Sequence, residues 1–235
     1  MFDVIILAGG MGTRLRSVVS EVPKCMAPVA GKPFLYYILE YLKPYKPGKV
    51  VLSLGYMSEK VIDWVNTSAR ILYDYPIEWV IEDAPLGTGG GIKLALSRCS
   101  SQEVCILNGD TMFKVPLDIL CRLHQESSVN ISLALKPMTD FSRYGTVSIA
   151  EDNTITEFNE KRYCSRGLIN GGIYFISRNS GIFDGMLEKF SFEKEILESF
   201  VRKGELKGFS FDSYFIDIGV PEDYEKSQTD FKDFR

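Results

Sequence analysis

The chain has 235 residues, 45% of them hydrophobic and 25% charged, with a formal net charge of −4. That length suits one large α/β domain, and mild acidity without a Lys or Arg run argues against nucleic acid or a membrane surface as partner. A single histidine and five cysteines without a CxxC pair argue against a Cys/His zinc site and against Ser-His or Cys-His catalysis.

Taken in order, "DVIILAGG" and "KVVLSLGY" read as buried, β-branched strands that end in glycine. Between them "PFLYYILEYLKPY" sets Phe34, Ile38, Tyr41 and Leu42 on one helical face, with Pro33 to start the helix and Pro44 to end it. Ser58 is placed to cap a helix over "EKVIDWVN". "IEWVIED" reads as a strand, "GGIKLALSRC" as a helix and "VCILNGD" as a further buried strand. This βαβα rhythm implies a parallel sheet.

After Asp110 the rhythm changes. "LDILCRLHQES" reads as helical, with His124 at an ordinary helix position, and Cys105 and Cys121 read as core thiols. "VNISLALKP", "GTVSIAED" and "TITEFNEK" read as strands, the last two joined by the turn "EDNT". "LINGGIYFIS" is another strand, "FEKEILESFVRKG" a helix and "LKGFSFDSYFIDIG" two further strands. "PEDYEKSQTDF" closes as a helix opened by Pro221 and two acids. No linker or repeat interrupts the pattern, so one domain is expected over 1–235. With neither a leader pattern nor a membrane-length apolar run, a cytoplasmic protein is expected.

The first strand runs into Gly9-Gly10-x-Gly12-Thr13-Arg14, with Lys24 ten residues further on. The dinucleotide fingerprint GxGxxG fails because Leu15 stands where its third glycine belongs. The P-loop fails because Arg14 stands at the second glycine and no Gly-Lys-Ser/Thr follows. A glycine turn of this kind lets backbone N–H groups approach a polyphosphate, while Arg14 can fork onto its oxygens and Lys24 adds a mobile positive charge.

"LAGGMGTRL" with "PKCMAPVAGKP" resembles the signature of the sugar-phosphate nucleotidyltransferases, which join a nucleoside triphosphate to a sugar 1-phosphate and release pyrophosphate. The resemblance implies an α/β, Rossmann-like three-layer fold with a mixed, mainly parallel central sheet. Residues 1–110 would form the nucleotide-binding half and 111–235 the sugar-phosphate-binding half. Leu7, Ala8, Gly9, Gly10, Gly12, Thr13 and Arg14 match the nucleotide loop. Arg14, Lys24 and Asp110 match its catalytic residues. The attacking phosphate is already ionised at neutral pH, so cations and a metal, not a general base, carry the chemistry.

Asp110, in "LNGDT", follows a buried strand at the carboxyl end where open α/β sheets bind ligands. Asp217, in "FIDIG", sits among apolar residues, a costly place for an unpaired carboxylate. By resemblance the two hold Mg²⁺. In "EDAPLGTGGGIKLA", Gly87 and Thr88 would lie against the base, and Glu82 matches the position that reads the base edge. A carboxylate accepts only, which suits the paired donors of guanine, although Glu82 could instead bind the ribose or a backbone amide. GTP is therefore the expected nucleotide.

For the sugar, the resemblance points to Gly145 as a backbone contact and Glu160 for the hydroxyls. It adds Lys161 for the phosphate and Asn170 in the same pocket. The compact length, "PLGTGGGIK" and "FSFEKEIL" resemble the branch that uses GTP and a manno-heptose 1-phosphate to supply bacterial surface polysaccharides. Mannose 1-phosphate guanylyltransferases, and uridylyl- or thymidylyltransferases of N-acetylmuramate or glucose 1-phosphate, remain as alternatives. A non-catalytic nucleotide-sugar regulator would have lost one of Arg14, Lys24, Asp110 or Asp217, and none is lost. A glycosyltransferase would carry Asp-x-Asp where "NGDTM" stands. The pattern leaves the oligomeric state open, a homo-oligomer included.

Overall fold

The computed structural model describes residues 1–10, 21–232 and 234. Alternation along the strands decides the layering. In β1 (Asp3–Ala8) Val4, Ile6 and Ala8 enter one apolar cluster while Ile5 enters another on the opposite face. After β1 come the two-residue strands β2 (Pro28–Val29) and β3 (Lys32–Pro33), paired antiparallel, and helix α1 (Phe34–Leu42). Pro33 precedes α1 directly, as expected. The helix is buried on more than one face, because Phe231 packs on Phe34 and Tyr37 at 5.8 and 4.7 Å.

Strand β4 (Val50–Leu54) is buried throughout and leads into α2 (Ser58–Trp64). Ser58 does not cap α2. Met57 holds the cap position with φ 53°, so Ser58 is already the first helical residue. A π-helical turn over Val65–Ala69 joins α2 to the short α3 (Arg70–Leu72), and β5 (Ile77–Ile81) and α4 (Gly87–Leu96) follow.

Next are β6 (Glu103–Asn108), β7 (Thr111–Phe113), α5 (Leu117–Ser127) and the long β8 (Ile131–Phe141). Then come β9 (Val147–Ile149), β10 (Ile155–Phe158) and β11 (Cys164–Ser177). The helix expected from "FEKEILESFVRKG" begins as a π-helical turn, Phe192–Leu197, with the Ser191 side chain accepting from Lys194 N. It continues as α6 (Glu198–Lys203), then β12 (Leu206–Ser210), β13 (Phe215–Asp217) and α7 (Pro221–Asp230).

Among the described residues one seven-stranded sheet forms in the order β12-β8-β11-β6-β1-β4-β5. Strands β6, β1, β4 and β5 run parallel, β11 runs against β6 and β8, and β12 is parallel to β8. The expected mixed, mainly parallel sheet is therefore present. Helices α1, α2, α5 and α7 cover one face, while α4, α6 and the 192–197 turn cover the other. No helix of the described residues is long and apolar enough to cross a membrane.

Two buried polar groups tie the amino ends of the strands together, and neither stands out from the sequence pattern. Asp3 is fully buried and accepts from Ser100 N at 2.6 Å, Ser101 N at 2.8 Å and Ser101 Oγ at 2.9 Å. His124 is not an ordinary helix position. It is 1% exposed, with Nδ1 2.9 Å from Ser132 Oγ and Nε2 3.1 Å from a Glu103 oxygen. Desolvation lowers its pKa, and Glu103 opposes that shift without reversing it.

His124 makes stability depend on pH. Free histidine takes up a proton near pH 6.5. The folded state resists that proton, so the unfolded chain binds more protons below this pH and stability falls as pH falls. Melting temperature should decline from pH 7.5 to 5.5 in the wild type and less steeply in His124→Gln. At pH 7.5 the substitution should itself cost about 1–3 kcal/mol. An unchanged slope in the variant would assign the pH dependence elsewhere.

Candidate active site

The carboxyl ends of β1, β4, β5 and β6 open onto a cavity of about 650 Å³. Its lining includes Leu7, Ala8, Gly9 and Gly10 from the end of β1, and Glu82, Gly87 and Thr88 from the turn before α4 and its first residues. Lys24 and Asp110 line it as well, whereas Asp217 does not. Gly12, Thr13 and Arg14 lie outside the described residues.

Asp110 is aimed by backbone stitching. Gly109 N donates to Leu7 O at 2.9 Å, and a Cβ on Gly109 would stand 2.6 Å from that same carbonyl oxygen. Only glycine lets the end of β6 lie this close to β1. Lys24 opens a 3-10 turn, Lys24–Met26, whose next residue, Cys25, is 2% exposed and so anchors it. From there Nζ reaches Asp110 Oδ2 at 3.0 Å.

Asp217 arrives on β13, which pairs antiparallel with β7 so that Asp217 faces Thr111. Ile218 N donates to Asp110 O at 3.0 Å, and Gly219 N donates to Asp217 Oδ1 at 2.8 Å. A Cβ on Gly219 would lie 2.8 Å from Asp217 Oδ1, 2.8 Å from Lys24 Nζ and 3.4 Å from Asp110 Oδ2. Two residues 107 positions apart thus meet a lysine over one bare α-carbon. Among the described residues no group of three or more His, Cys, Asp or Glu gathers to hold a metal. Two carboxylates alone suit a hard cation that keeps its remaining positions for water and phosphate.

Cys25 borders the cavity but is no nucleophile. Burial, and then the charge of Asp110, push its thiol up to about 12.

Glu82 shows the backbone-amide role left open by the sequence. Its Oε2 accepts from Leu86 N at 2.9 Å, and Oε1 lies 3.4 Å from Ser53 Oγ. A side chain on Gly9 or Gly91 would stand 2.8 or 2.9 Å from Oε1 and push the carboxylate aside. Gly87 is glycine for a different reason from the one expected. Its φ is +75°, and a Cβ would lie 2.5 Å from Phe190 O, so what it accommodates is protein backbone. The Thr88 hydroxyl is likewise engaged, donating to Glu193 Oε2 at 2.6 Å and accepting from Phe192 N at 2.9 Å.

The expected sugar residues do not line this cavity. Gly145 packs where a side chain would collide with Asn159 O, beside the β9–β10 hairpin. Glu160 and Lys161 are exposed just beyond β10. Asn170 holds a bulge in β11, its Oδ1 accepting from Gly172 N at 3.0 Å and its Nδ2 donating to Tyr174 OH at 2.9 Å. Ser53 and Glu193 line the cavity without having been singled out in the sequence. A serine interrupting the apolar run "VVLSL" was the available signal for Ser53, which the structure buries fully.

Comparison with known proteins agrees with this geometry. A model of the family described as nucleotidyl transferase matches residues 3–233. The chain is 44% identical to a D-glycero-alpha-D-manno-heptose 1-phosphate guanylyltransferase of Aneurinibacillus thermoaerophilus, covering 99% of both chains. It is 44% identical to a Campylobacter jejuni protein of the same name, covering 94% of this chain and 96% of that one. The structure of HddC from Yersinia pseudotuberculosis, solved with GMP-PN, superposes with a TM-score of 0.89 at 37% identity over 99% of this chain and 100% of that one. The chain belongs to the nucleotidyl transferase family.

Proposed function

We propose that this protein transfers the guanylyl group of GTP to D-glycero-α-D-manno-heptose 1-phosphate, giving GDP-heptose and pyrophosphate. The observation that carries the reading is the convergence of Lys24, Asp110 and Asp217 on Gly219 beside the cavity at the strand ends. The end-to-end likeness to guanylyltransferases of that heptose phosphate supports the choice of substrates. The product would serve as an activated sugar for enzymes that build bacterial surface polysaccharide, and the work would be done in the cytoplasm.

In this reading GTP occupies the region bounded by residues 7–10 and 82–88. An oxygen of the sugar phosphate, ionised at neutral pH, attacks the α-phosphorus. The new P–O bond forms as the bond to the α–β bridging oxygen breaks, and pyrophosphate leaves with the electron pair. Lys24 offers its ammonium to oxygens on which charge accumulates. Asp110 holds that ammonium in place. In this reading transfer is direct, and Cys25, buried beside the cavity, takes no part as a nucleophile. Magnesium held by Asp110 and Asp217 would neutralise triphosphate charge and favour departure of pyrophosphate.

Glu82 fixes the loop through Leu86 N, and its remaining lone pairs suit the N1–H and 2-amino donors of guanine. Inosine triphosphate lacks the 2-amino group. The wild type should prefer GTP to inosine triphosphate, and Glu82→Gln should narrow that preference by about tenfold. An equal preference in both proteins would leave Glu82 as a loop anchor only.

The substrate reading is tested by pyrophosphate release from GTP, UTP, dTTP, CTP and ATP, each against heptose, mannose, glucose and N-acetylmuramate 1-phosphates. Fastest turnover is expected for GTP with the heptose phosphate. A clear preference for another pair would replace these substrates while keeping the chemistry.

The mechanism predicts that Lys24→Ala and Asp110→Asn each lower kcat by about 100-fold or more with melting temperature nearly unchanged. Chelation should abolish turnover and added Mg²⁺ restore it. Full activity in EDTA would remove the metal from the mechanism.

A further inference from the structure

The segment 186–197 crosses the glycine turn that opens α4 and is fastened there at close range. Phe190 N donates to Leu86 O at 3.0 Å, and Gly89 N donates to Phe190 O at 3.1 Å. A side chain on Gly89 would collide with the Phe190 ring, and one on Gly90 with the Glu188 carbonyl. Lys93 Nζ adds a bond to Met186 O at 2.8 Å. These contacts deliver one carboxylate, that of Glu193, to the wall of the cavity.

Both hydroxyls that reach Glu193 fall on the same oxygen. Thr88 Oγ1 donates to Oε2 at 2.6 Å and Ser191 Oγ at 2.8 Å. Among the described residues no group bonds Oε1. Structural need alone does not call for a carboxylate here, because Ser191 already caps Lys194 N and Thr88 already accepts from Phe192 N. A neutral side chain would satisfy the same two hydroxyls.

The surroundings of Glu193 join the nucleotide loop, through Thr88, to the second half of the chain. Phe192, its neighbour, meets Tyr174 edge-on at 5.3 Å between centroids. The Tyr174 hydroxyl bonds Asn170, and its pKa is raised by burial first and by the Glu193 charge second. Glu193 therefore lies between Thr88 in the first half of the chain and β11 in the second. An ionised carboxylate oxygen in such a wall is a strong acceptor for a ligand hydroxyl.

We propose that Glu193 Oε1 accepts a hydroxyl of the acceptor sugar, making Glu193 a specificity-determining residue for the reaction proposed above, on which this inference rests. A charge-assisted bond of this kind discriminates sharply, since a substrate lacking the hydroxyl leaves the carboxylate unpaired.

The test compares kcat/KM for the wild type, Glu193→Gln and Glu193→Ala. The acceptors are heptose 1-phosphate, mannose 1-phosphate and mannose 1-phosphates deoxygenated singly at each ring or side-chain carbon. GTP and its 2′- and 3′-deoxy forms test the ribose in parallel. In the wild type one missing sugar hydroxyl should cost about tenfold or more, and Glu193→Ala should be nearly indifferent to that loss. Glu193→Gln, which can keep the Thr88 and Ser191 bonds, should melt like the wild type and show an intermediate penalty. Penalties that stay the same in all three proteins would overturn the proposal while leaving the guanylyltransferase reading intact. Lost discrimination against deoxyribose instead would overturn the sugar assignment. A folded wild type inert with GTP and every acceptor would sink both readings together.

Discussion

The site depends on keeping two carboxylates and an ammonium within reach of one another at the end of a sheet. Asp110 and Asp217 would repel if brought together alone, and Lys24, at 3.0 Å from Asp110, offsets that repulsion. A partly exposed pair of this kind contributes at most about 1 kcal/mol to folding. Its role is therefore placement. It holds cationic and anionic groups beside a cavity in which a polyanion can react, and Gly219 supplies the space by having no side chain.

The scaffold around this cluster makes the placement rigid. Parallel strands β6 and β1 end together because Gly109 donates to Leu7, and their opposite ends are bound by buried Asp3. The antiparallel β11 then lets the second half of the chain fold back along β6. In this way β13 can pair with β7 and bring Asp217 to Asp110. The glycines divide into those that border the cavity and admit a neighbouring side chain, as Gly9 admits the Glu82 carboxylate, and those that admit neighbouring backbone. Gly87 belongs to the second group, and the segment it receives carries Glu193 into the cavity wall.

Much of the fold was legible in the sequence. The continuous apolar runs "DVIILA" and "VVLSL" are consequences of burial on two faces, and that burial is local to each strand. Helix starts were less legible. Met57 takes a left-handed conformation that no propensity favours, which shifts the start of α2 past the cap that Ser58 would have made. His124 read as an ordinary helix position because its partners, Ser132, Ser177 and Glu103, come from three other elements.

By itself the sequence determined the family motif and the strand-end positions of Asp110 and Asp217. These depend on residue identity and short-range spacing, which the linear chain states directly. Tertiary structure alone decided that Lys24 bonds Asp110, that Glu82 secures Leu86, and that Asn170 holds a bulge in β11. It also decided that Thr88 and Glu193 meet from opposite halves of the chain. Each of the long-range contacts among these joins groups far apart in sequence, and the closing of such distances is set by sheet pairing and side-chain packing, which no local pattern records.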